Sequence, residues 1–184
     1  FAQNPALKTI VVPAGVKKLG LGIFSLCTSL TSATLPDNVD KMGNTVFWGC
    51  SALTQVQLPQ NLTEIPTATF RECKSLARVD IPASVTKIGQ GAFQGCGLTS
   101  ITFPAGLTEI ESEASESCNR LTAVSIPGSA ECKFMSFRNC KGLKKVTIGE
   151  RYKSTPYELN GIFMGCSFVN PRMTTTPACV TYQP

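Results

Sequence analysis

The sequence contains no histidine among its 184 residues. Histidine is the commonest general base and the commonest metal ligand in proteins, so its absence argues against metal-dependent or acid–base catalysis. Long apolar runs are also missing, because no stretch approaches the roughly 18 residues that a membrane-spanning helix needs. Tryptophan occurs once and tyrosine three times, which leaves few aromatic contact residues. We therefore expect no metal, no cofactor, no enzymatic activity and no membrane span in this chain.

Charge is also scarce, since charged residues make up 16% of the chain and hydrophobic residues 42%. Such a composition is typical of a folded protein with a continuous core. The net charge is +5, and the basic residues are dispersed except for a denser stretch from Lys133 to Lys153. Nucleic-acid sites combine clustered basic residues with interleaved aromatics. We interpret the basic stretch as a solvated edge and predict no nucleic-acid partner.

Cysteine, in contrast, recurs with a nearly fixed period. Successive members of the series are separated by 23, 23, 23, 22, 22 and 26 residues, and a leucine series and a phenylalanine series keep the same period. A period of this length indicates one supersecondary unit stacked on copies of itself. The cysteine series is Cys27, Cys50, Cys73, Cys96, Cys118, Cys140 and Cys166. The phenylalanine series is Phe24, Phe47, Phe70, Phe93, Phe137 and Phe163.

The fourth copy shows the repeat most clearly. It begins at Leu76, and the alternation of Val79 and Ile81 with polar residues predicts a half-buried strand. Pro82 then ends the strand, because proline has no N–H with which to extend a ladder. After a turn, Val85 and Ile88 face inward again, as a second short strand or a tight turn. Gly89 provides either a positive φ or a close backbone approach.

The cysteines of the periodic series are predicted to form a column of buried thiols. Equivalent residues of neighbouring copies lie about 4.8 Å apart with parallel Cβ vectors, which is a poor geometry for disulfides. We expect each thiol to act as a small hydrophobe that donates weakly to a backbone group. Cys132 and Cys179 stand outside the column and either pair with another cysteine or stay free.

The repeat resembles that of the BspA-like leucine-rich repeat family of bacterial and some protozoan surface proteins. The family pattern reads approximately L-x-x-I-x-I-P-x-x-V-x-x-I-G-x-x-A-F-x-x-C, and the resemblance extends from Phe1 to about Cys166. It implies a right-handed, curved, mainly β solenoid with a parallel β-sheet on the concave face and short strands, turns or 3-10 segments elsewhere. We expect one domain over residues 1–184 with about seven repeats of 22–26 residues. Residues 1–6 are then the remnant of a preceding repeat, and residues 167–184 are a C-terminal cap or tail.

The resemblance also implies a function. Members of the family are secreted or surface-anchored proteins that work by adhesion or partner binding, so the expected ligand is a protein, such as a host extracellular or surface protein. The expected location is extracellular or at the cell surface. The alternative is a structural spacer or display stalk whose binding specificity lies in an upstream region.

The outward positions of the predicted strands carry mostly small polar residues, which favours a solvated sheet surface over a specific site. The larger polar and aromatic side chains are the candidate contact residues. Trp48 is either such a contact or is packed against a neighbouring loop, and two tyrosines lie in the enlarged loop of the seventh repeat. The candidate residues are Gln55, Gln57, Arg78, Asp80, Thr102 and Lys145 on the sheet, with Trp48, Tyr152 and Tyr157 in loops.

The fifth repeat departs from the pattern, because Ser115 stands where the phenylalanine belongs. A serine leaves space in a stack of rings. We predict that Phe134 or Met135 of the next repeat reaches across to fill it.

Overall fold

The structure is a computed structural model that describes residues 1–169 and 177–184. The chain folds as a parallel β-solenoid in which each repeat forms one coil, as the period predicts. Strands of successive coils pair in register, so that Ile10 lies opposite Ala33, and Ala33 lies opposite Val56. Equivalent side chains therefore form continuous files through the interior. The leucine-rich repeat fold is confirmed.

One side of the solenoid, here called the long-strand face, consists of the strands that follow the periodic leucine. They form two parallel sheets, ordered β1-β3-β5 and β13-β12-β10-β8. The strands are β1 (Thr9–Val11), β3 (Ser32–Thr34), β5 (Gln55–Gln57), β8 (Ser100–Thr102), β10 (Ala123–Ser125), β12 (Lys145–Gly149) and β13 (Val180–Gln183).

The other side, the short-strand face, consists of the two-residue strands that follow the proline turn. It also forms two parallel sheets, ordered β2-β4 and β11-β9-β7-β6. The strands are β2 (Lys18–Leu19), β4 (Lys41–Met42), β6 (Glu64–Ile65), β7 (Lys87–Ile88), β9 (Glu109–Ile110) and β11 (Glu131–Cys132). The second inward-facing segment of each repeat is thus a strand. Gly89 allows the backbones of neighbouring coils to approach closely, since a Cβ there would lie 2.6 Å from the Thr67 nitrogen.

The phenylalanines form a stacked spine through the first four repeats. The rings of Phe24, Phe47, Phe70 and Phe93 follow one another in the stack. The centroids of consecutive rings are 5.6 Å apart, and their planes are tilted by 5–16°. The four rings are at most 2% exposed. Burying such a side chain contributes roughly 1.5–3 kcal/mol, so the spine is a major source of stability. The predicted interior file is confirmed.

The gap at Ser115 is filled differently from the prediction. Phe134 is 55% exposed, so it does not enter the core. The ring that packs there is Phe103, which is 6% exposed and meets Phe137 edge-on at 6.3 Å and 80°. Phe103 occupies the position just before the proline, where the other copies carry valine, leucine or isoleucine. The fifth repeat has therefore lost one phenylalanine and gained another, and the prediction for Phe134 or Met135 is wrong.

The long-strand face is interrupted in the fourth repeat, where the sequence pattern is cleanest. Val79 faces inward and is 7% exposed, yet residues 78–80 form no strand and pair with neither β5 nor β8. The predicted strand is wrong at this position. The alternation of apolar and polar residues determines which side chains are buried, but it does not ensure that the backbone forms hydrogen bonds to both neighbouring strands. The next coil is also one residue short between Cys96 and Leu98, beside this interruption.

The short-strand face is interrupted between β4 and β6, and the cause is a proline. At equivalent positions Gly43 and Gly89 donate their N–H groups to Leu19 and Ile65 of the preceding coil, both at 2.8 Å. Pro66 stands in this position in the third repeat and has no N–H to donate. The ladder therefore breaks there, although the coil continues.

The seventh repeat carries the only helices among the described residues, a 3-10 helix (Glu150–Tyr152) and α1 (Pro156–Ile162). After them β13 pairs in parallel with β12 and extends the long-strand face, with Val180 opposite Val146. Of the predicted cap or tail, residues 170–176 lie outside the described residues.

Candidate binding surface

Six of the candidate residues lie on the long-strand face and are exposed. Gln55 and Gln57 belong to β5, Thr102 to β8 and Lys145 to β12, where the outward side of each strand carries them. Strand β12 is two strands from β8, which places Lys145 about 10 Å from the β8 residues. Arg78 and Asp80 lie in the unpaired segment between β5 and β8.

Three of these residues are brought together where the sheet is interrupted. Arg78, Asp80 and Thr102 line a hollow of about 280 Å³, which Ser100 and Phe103 also line. The Arg78 guanidinium lies 3.6 Å from an Asp80 carboxylate oxygen, and the two side chains are 78% and 93% exposed. An ion pair this exposed is held weakly, so both charges are accessible to a partner.

A second hollow of about 500 Å³ continues the first toward the C-terminal end and shares Thr102 and Phe103 with it. The two hollows together are here called the groove. Ser125, Ser129 and Gln183 add polar groups to its walls. Of the residues predicted as contacts, only Thr102 lies in this extension. The exchange of a phenylalanine between positions 115 and 103 is the signal in the sequence, because Phe103 lines both hollows.

Trp48 is 39% exposed and lies in the turn before Cys50, not on the long-strand face. It is therefore not part of the groove that Arg78 and Thr102 line. It is one of six large apolar side chains that are exposed among the described residues.

Tyr152 is buried, whereas its position in the enlarged loop predicts an exposed side chain. It is 3% exposed, and its hydroxyl accepts a hydrogen bond of 2.8 Å from the Cys132 backbone N–H. Burial raises the pKa of Tyr152 to about 12. The loop insertion folds this ring inward as a core residue, which corrects the prediction from its loop position. Tyr157 of α1 is 72% exposed, as a contact residue should be.

The cysteine column has the predicted form. Each of the seven thiols donates to a backbone carbonyl of the preceding coil at 2.8–3.1 Å; the acceptor is a phenylalanine of the spine, or Ser115 in the case of Cys140. All nine cysteines are free, Cys132 and Cys179 included. Burial raises the pKa of Cys50 and of Cys132 to about 12. Protonated thiols are poor nucleophiles, so Cys50 and Cys132 are unreactive at neutral pH.

Three glutamates of the fifth and sixth repeats are paired with lysines on the short-strand face. Lys87 lies 2.8 Å from Glu109 and 2.7 Å from Glu111, and Lys133 lies 2.7 Å from Glu131. The hydrogen bond from Lys87 lowers the pKa of Glu109. This pairing neutralises part of the basic stretch that begins at Lys133.

Within residues 1–169 and 177–184, no group of three or more cysteine, aspartate and glutamate side chains is placed to hold a metal ion. The helices in the same ranges are too short to cross a membrane. The groove contains one arginine and one aspartate, and both of their side chains are exposed.

The sequence profile of the BspA-type leucine-rich repeat region matches residues 1–122 and 108–176 in six copies. The chain therefore belongs to the BspA-type leucine-rich repeat family. No curated protein matches it at a significant level.

Solved structures of bacterial leucine-rich repeat proteins share the fold. A leucine-rich repeat protein from Bacteroides ovatus is 30% identical with a TM-score of 0.73, and the match covers 78% of this chain and 40% of that one. A leucine-rich repeat protein from T. pallidum is 28% identical with a TM-score of 0.51, and the match covers 77% of this chain and 58% of that one. A leucine-rich cell surface protein from Faecalibacterium prausnitzii is 25% identical with a TM-score of 0.52, and the match covers 84% of this chain and 34% of that one. The chain thus spans between a third and three fifths of the length of these proteins.

Proposed function

We propose that this chain is a non-catalytic, protein-binding module of the adhesin type, within a secreted or cell-surface protein. Its family membership supports a repeat module, and one structural relative is described as a cell surface protein. The partner is a protein, such as a host extracellular or surface protein, and no cofactor or nucleic acid is required. The chain acts as a single leucine-rich repeat domain.

The observation that carries this proposal is the groove on the long-strand face. It is the place where the exposed charges of Arg78 and Asp80 meet the hydroxyls of Ser100 and Thr102 around a concave surface. Arginine is among the residues that dominate the energy of protein interfaces. Elsewhere this face carries mostly threonine, serine and glutamine, whose hydrogen-bonding groups water can satisfy without a partner protein.

That small, polar surface is also what favours the second candidate function, a spacer that displays a binding region located elsewhere in a longer protein. The two functions predict different behaviour of the isolated chain. A binding module retains affinity on its own, whereas a spacer does not.

The test is surface plasmon resonance of the chain against a panel of host matrix and cell-surface proteins. We expect saturable binding to at least one of them, weakened at least about tenfold by the double change Arg78→Ala and Asp80→Ala. The matched control is Lys8→Ala together with Thr9→Ala, which alters the same face in the first coil. Loss of binding in the control alone, or no binding by the chain when a longer protein containing it binds, contradicts the proposal.

A further inference from the structure

A cleft of about 610 Å³ lies beside the short-strand face, where β11, the 3-10 helix and α1 meet. It shares no lining residue with the groove on the long-strand face. The two helices belong to the enlarged loop of the seventh repeat, so this insertion provides one wall of the cleft. Its volume is within the range of small-molecule sites in proteins, which is roughly 300–1,000 Å³.

Aromatic and aliphatic side chains line this cleft. Tyr152 and Ile162 are buried there, whereas Phe134 and Tyr157 line it and remain exposed. A Cβ at position 161 would lie 2.8 Å from the Phe134 ring, so Gly161 allows this ring to lie against α1. Exposed rings beside a concave apolar surface are typical of a ligand site.

Both glutamates that line the cleft already have partners within the chain. Glu131 is paired with Lys133, as described above. Glu158 accepts hydrogen bonds from the Thr155 hydroxyl at 3.0 Å and from the Tyr157 hydroxyl at 3.2 Å. A cationic ligand would have to compete with these donors for the two carboxylates.

Arg151, in contrast, lines the cleft and forms no ion pair with a carboxylate in the described part of the chain. Its guanidinium donates to the Ser129 carbonyl at 3.3 Å, which leaves further N–H donors for a ligand. Burial raises the pKa of Tyr152 to about 12, and the nearby charge of Arg151 opposes this rise. The guanidinium therefore lies close to the apolar lining of the cleft. Its planar fork of donors matches the two oxygens of a carboxylate.

The charges of the lining favour an anion that carries a single charge. Lys133 and Arg151 carry the positive charges and Glu131 and Glu158 the negative ones, so the lining is neutral overall. A carboxylate adds one negative charge, whereas a phosphate group adds about 1.5 to 2. The two glutamates therefore repel a phosphate more strongly than a carboxylate.

We infer that this cleft binds a small apolar carboxylic acid in its ionised form. The carboxylate pairs with the Arg151 guanidinium, and the aromatic or aliphatic body of the acid contacts Phe134, Tyr157 and Ile162. A peptide main chain is a poorer occupant, because the Cys132 N–H already donates to a side chain of the cleft. This site is separate from the groove and does not depend on the proposed protein-binding function.

The probe is naphthylacetate, an aromatic ring system with one carboxylate, and the matched probe is naphthylacetamide, which has the same rings and no charge. Nuclear magnetic resonance titration of the isotope-labelled chain measures the affinity and locates the site. We expect saturation at a ratio of one to one, with the largest shifts at the amides of Tyr157, Gly161 and Ile162. The acid should bind at least about tenfold more tightly than the amide, because only the acid forms an ion pair.

Variants of the protein test the two parts of the site separately. Arg151→Gln should weaken naphthylacetate at least about tenfold and change naphthylacetamide by less than about twofold, a split that is not expected from a change in folding. The matched control is Lys153→Gln, which removes an exposed positive charge of the same loop from outside the lining and leaves both affinities unchanged. Phe134→Ala weakens both probes, because both contact its ring. Circular dichroism establishes that each variant is folded.

No saturation up to about 10 mM naphthylacetate overturns the inference, as does equal binding of the acid and the amide. Equal losses in Arg151→Gln and Lys153→Gln also overturn it, because net charge alone would then explain the binding. The peptide acetyl-Ala-Ala-Phe, with a free terminal carboxylate, presents the same chemistry at the end of a chain. If this peptide binds more tightly than naphthylacetate, the occupant is the C-terminus of a protein and a small acid is contradicted.

Discussion

The first four repeats and the last three solve the same packing problem differently. In the first four, the spine is a uniform stack of rings from Phe24 to Phe93, each 5.6 Å from the next. In the fifth repeat Ser115 interrupts the spine, and Phe103 enters from the strand side to meet Phe137 edge-on. The comparison shows that each level of the solenoid needs a certain volume of apolar side chain and does not need it at a fixed position.

The two regions also differ in their surfaces. Both hollows of the long-strand face involve residues from position 78 onward, where the spacing and the spine depart from the pattern. In the regular region this face presents mostly short polar side chains. The interrupted strand at residues 78–80 and the inward Phe103 are therefore the features that accompany the hollows of the long-strand face.

The largest effect is expected from breaking the regular spine. Phe70→Ala removes a fully buried ring between two stacked neighbours and should lower the free energy of unfolding by about 3–5 kcal/mol. Urea titration followed by circular dichroism measures the loss. The matched control is Phe134→Ala, which removes an exposed ring of the irregular region and should cost less than about 1 kcal/mol. A loss below about 1 kcal/mol for Phe70→Ala contradicts the spine.

The second prediction concerns the exchange in the fifth repeat. Phe103→Ile alone leaves a cavity and should cost about 1–3 kcal/mol, and Ser115→Phe alone overpacks the same space at a similar cost. The double variant returns both positions to the common pattern and should be more stable than either single variant. A double-mutant cycle measured in urea should give a favourable coupling of at least about 1 kcal/mol. Additive losses would show that the two positions do not share one space.

The third prediction compares a column thiol with one outside the column. Burial raises the pKa of both Cys50 and Cys132 from 9.0 to about 12. The folded chain therefore holds these protons more tightly than the unfolded chain. Their contribution to stability is complete below about pH 9 and is lost as the pH rises toward about 12, by up to about 1.4 kcal/mol per pH unit for each thiol.

The measurement is the free energy of unfolding at about pH 8 and about pH 10, for the native chain and for Cys50→Ala and Cys132→Ala. Each variant should lose about 1 kcal/mol less than the native chain over this range. Trp48→Ala has no thiol change and should keep the native dependence on pH. Equal losses in all four proteins would mean that neither thiol is buried as described.

Side-chain periodicity was sufficient to predict the coils, the ring stack and the thiol column, because all three depend on equivalent positions repeating in register. It was not sufficient for the sheets. The ladder breaks at Pro66 for a reason that the sequence contains, since proline lacks a donor, but the break at residues 78–80 depends on how neighbouring coils are placed. Arg78, Asp80 and Thr102 were predicted as separate contact residues, and only the fold places them around one hollow. The burial of Tyr152 could not be predicted, because a long insertion can fold a ring inward as well as outward.

The smallest expected effect concerns backbone strain in the residue before each periodic cysteine, which has a positive φ in every repeat. Gly49 and Gly165 occupy this slot with φ of 71° and 75°, whereas Ser117 occupies it with φ of 59°. Serine in this conformation carries a cost that glycine avoids. Ser117→Gly should therefore raise the free energy of unfolding by about 1 kcal/mol, measured in urea, despite the greater freedom of glycine in the unfolded chain.

The matched control is the reverse change in the regular region. Gly49→Ala places a Cβ 2.5 Å from a methyl group of Leu26 and adds the strain of a positive φ, so it should destabilise the chain by more than Ser117→Gly stabilises it. Opposite signs for the two variants would establish that one backbone conformation is repeated through both regions, whatever side chain each repeat places on it. Destabilisation by both would show that the serine in the fifth repeat makes a contact that offsets its strain, and that the two regions differ in this slot as well.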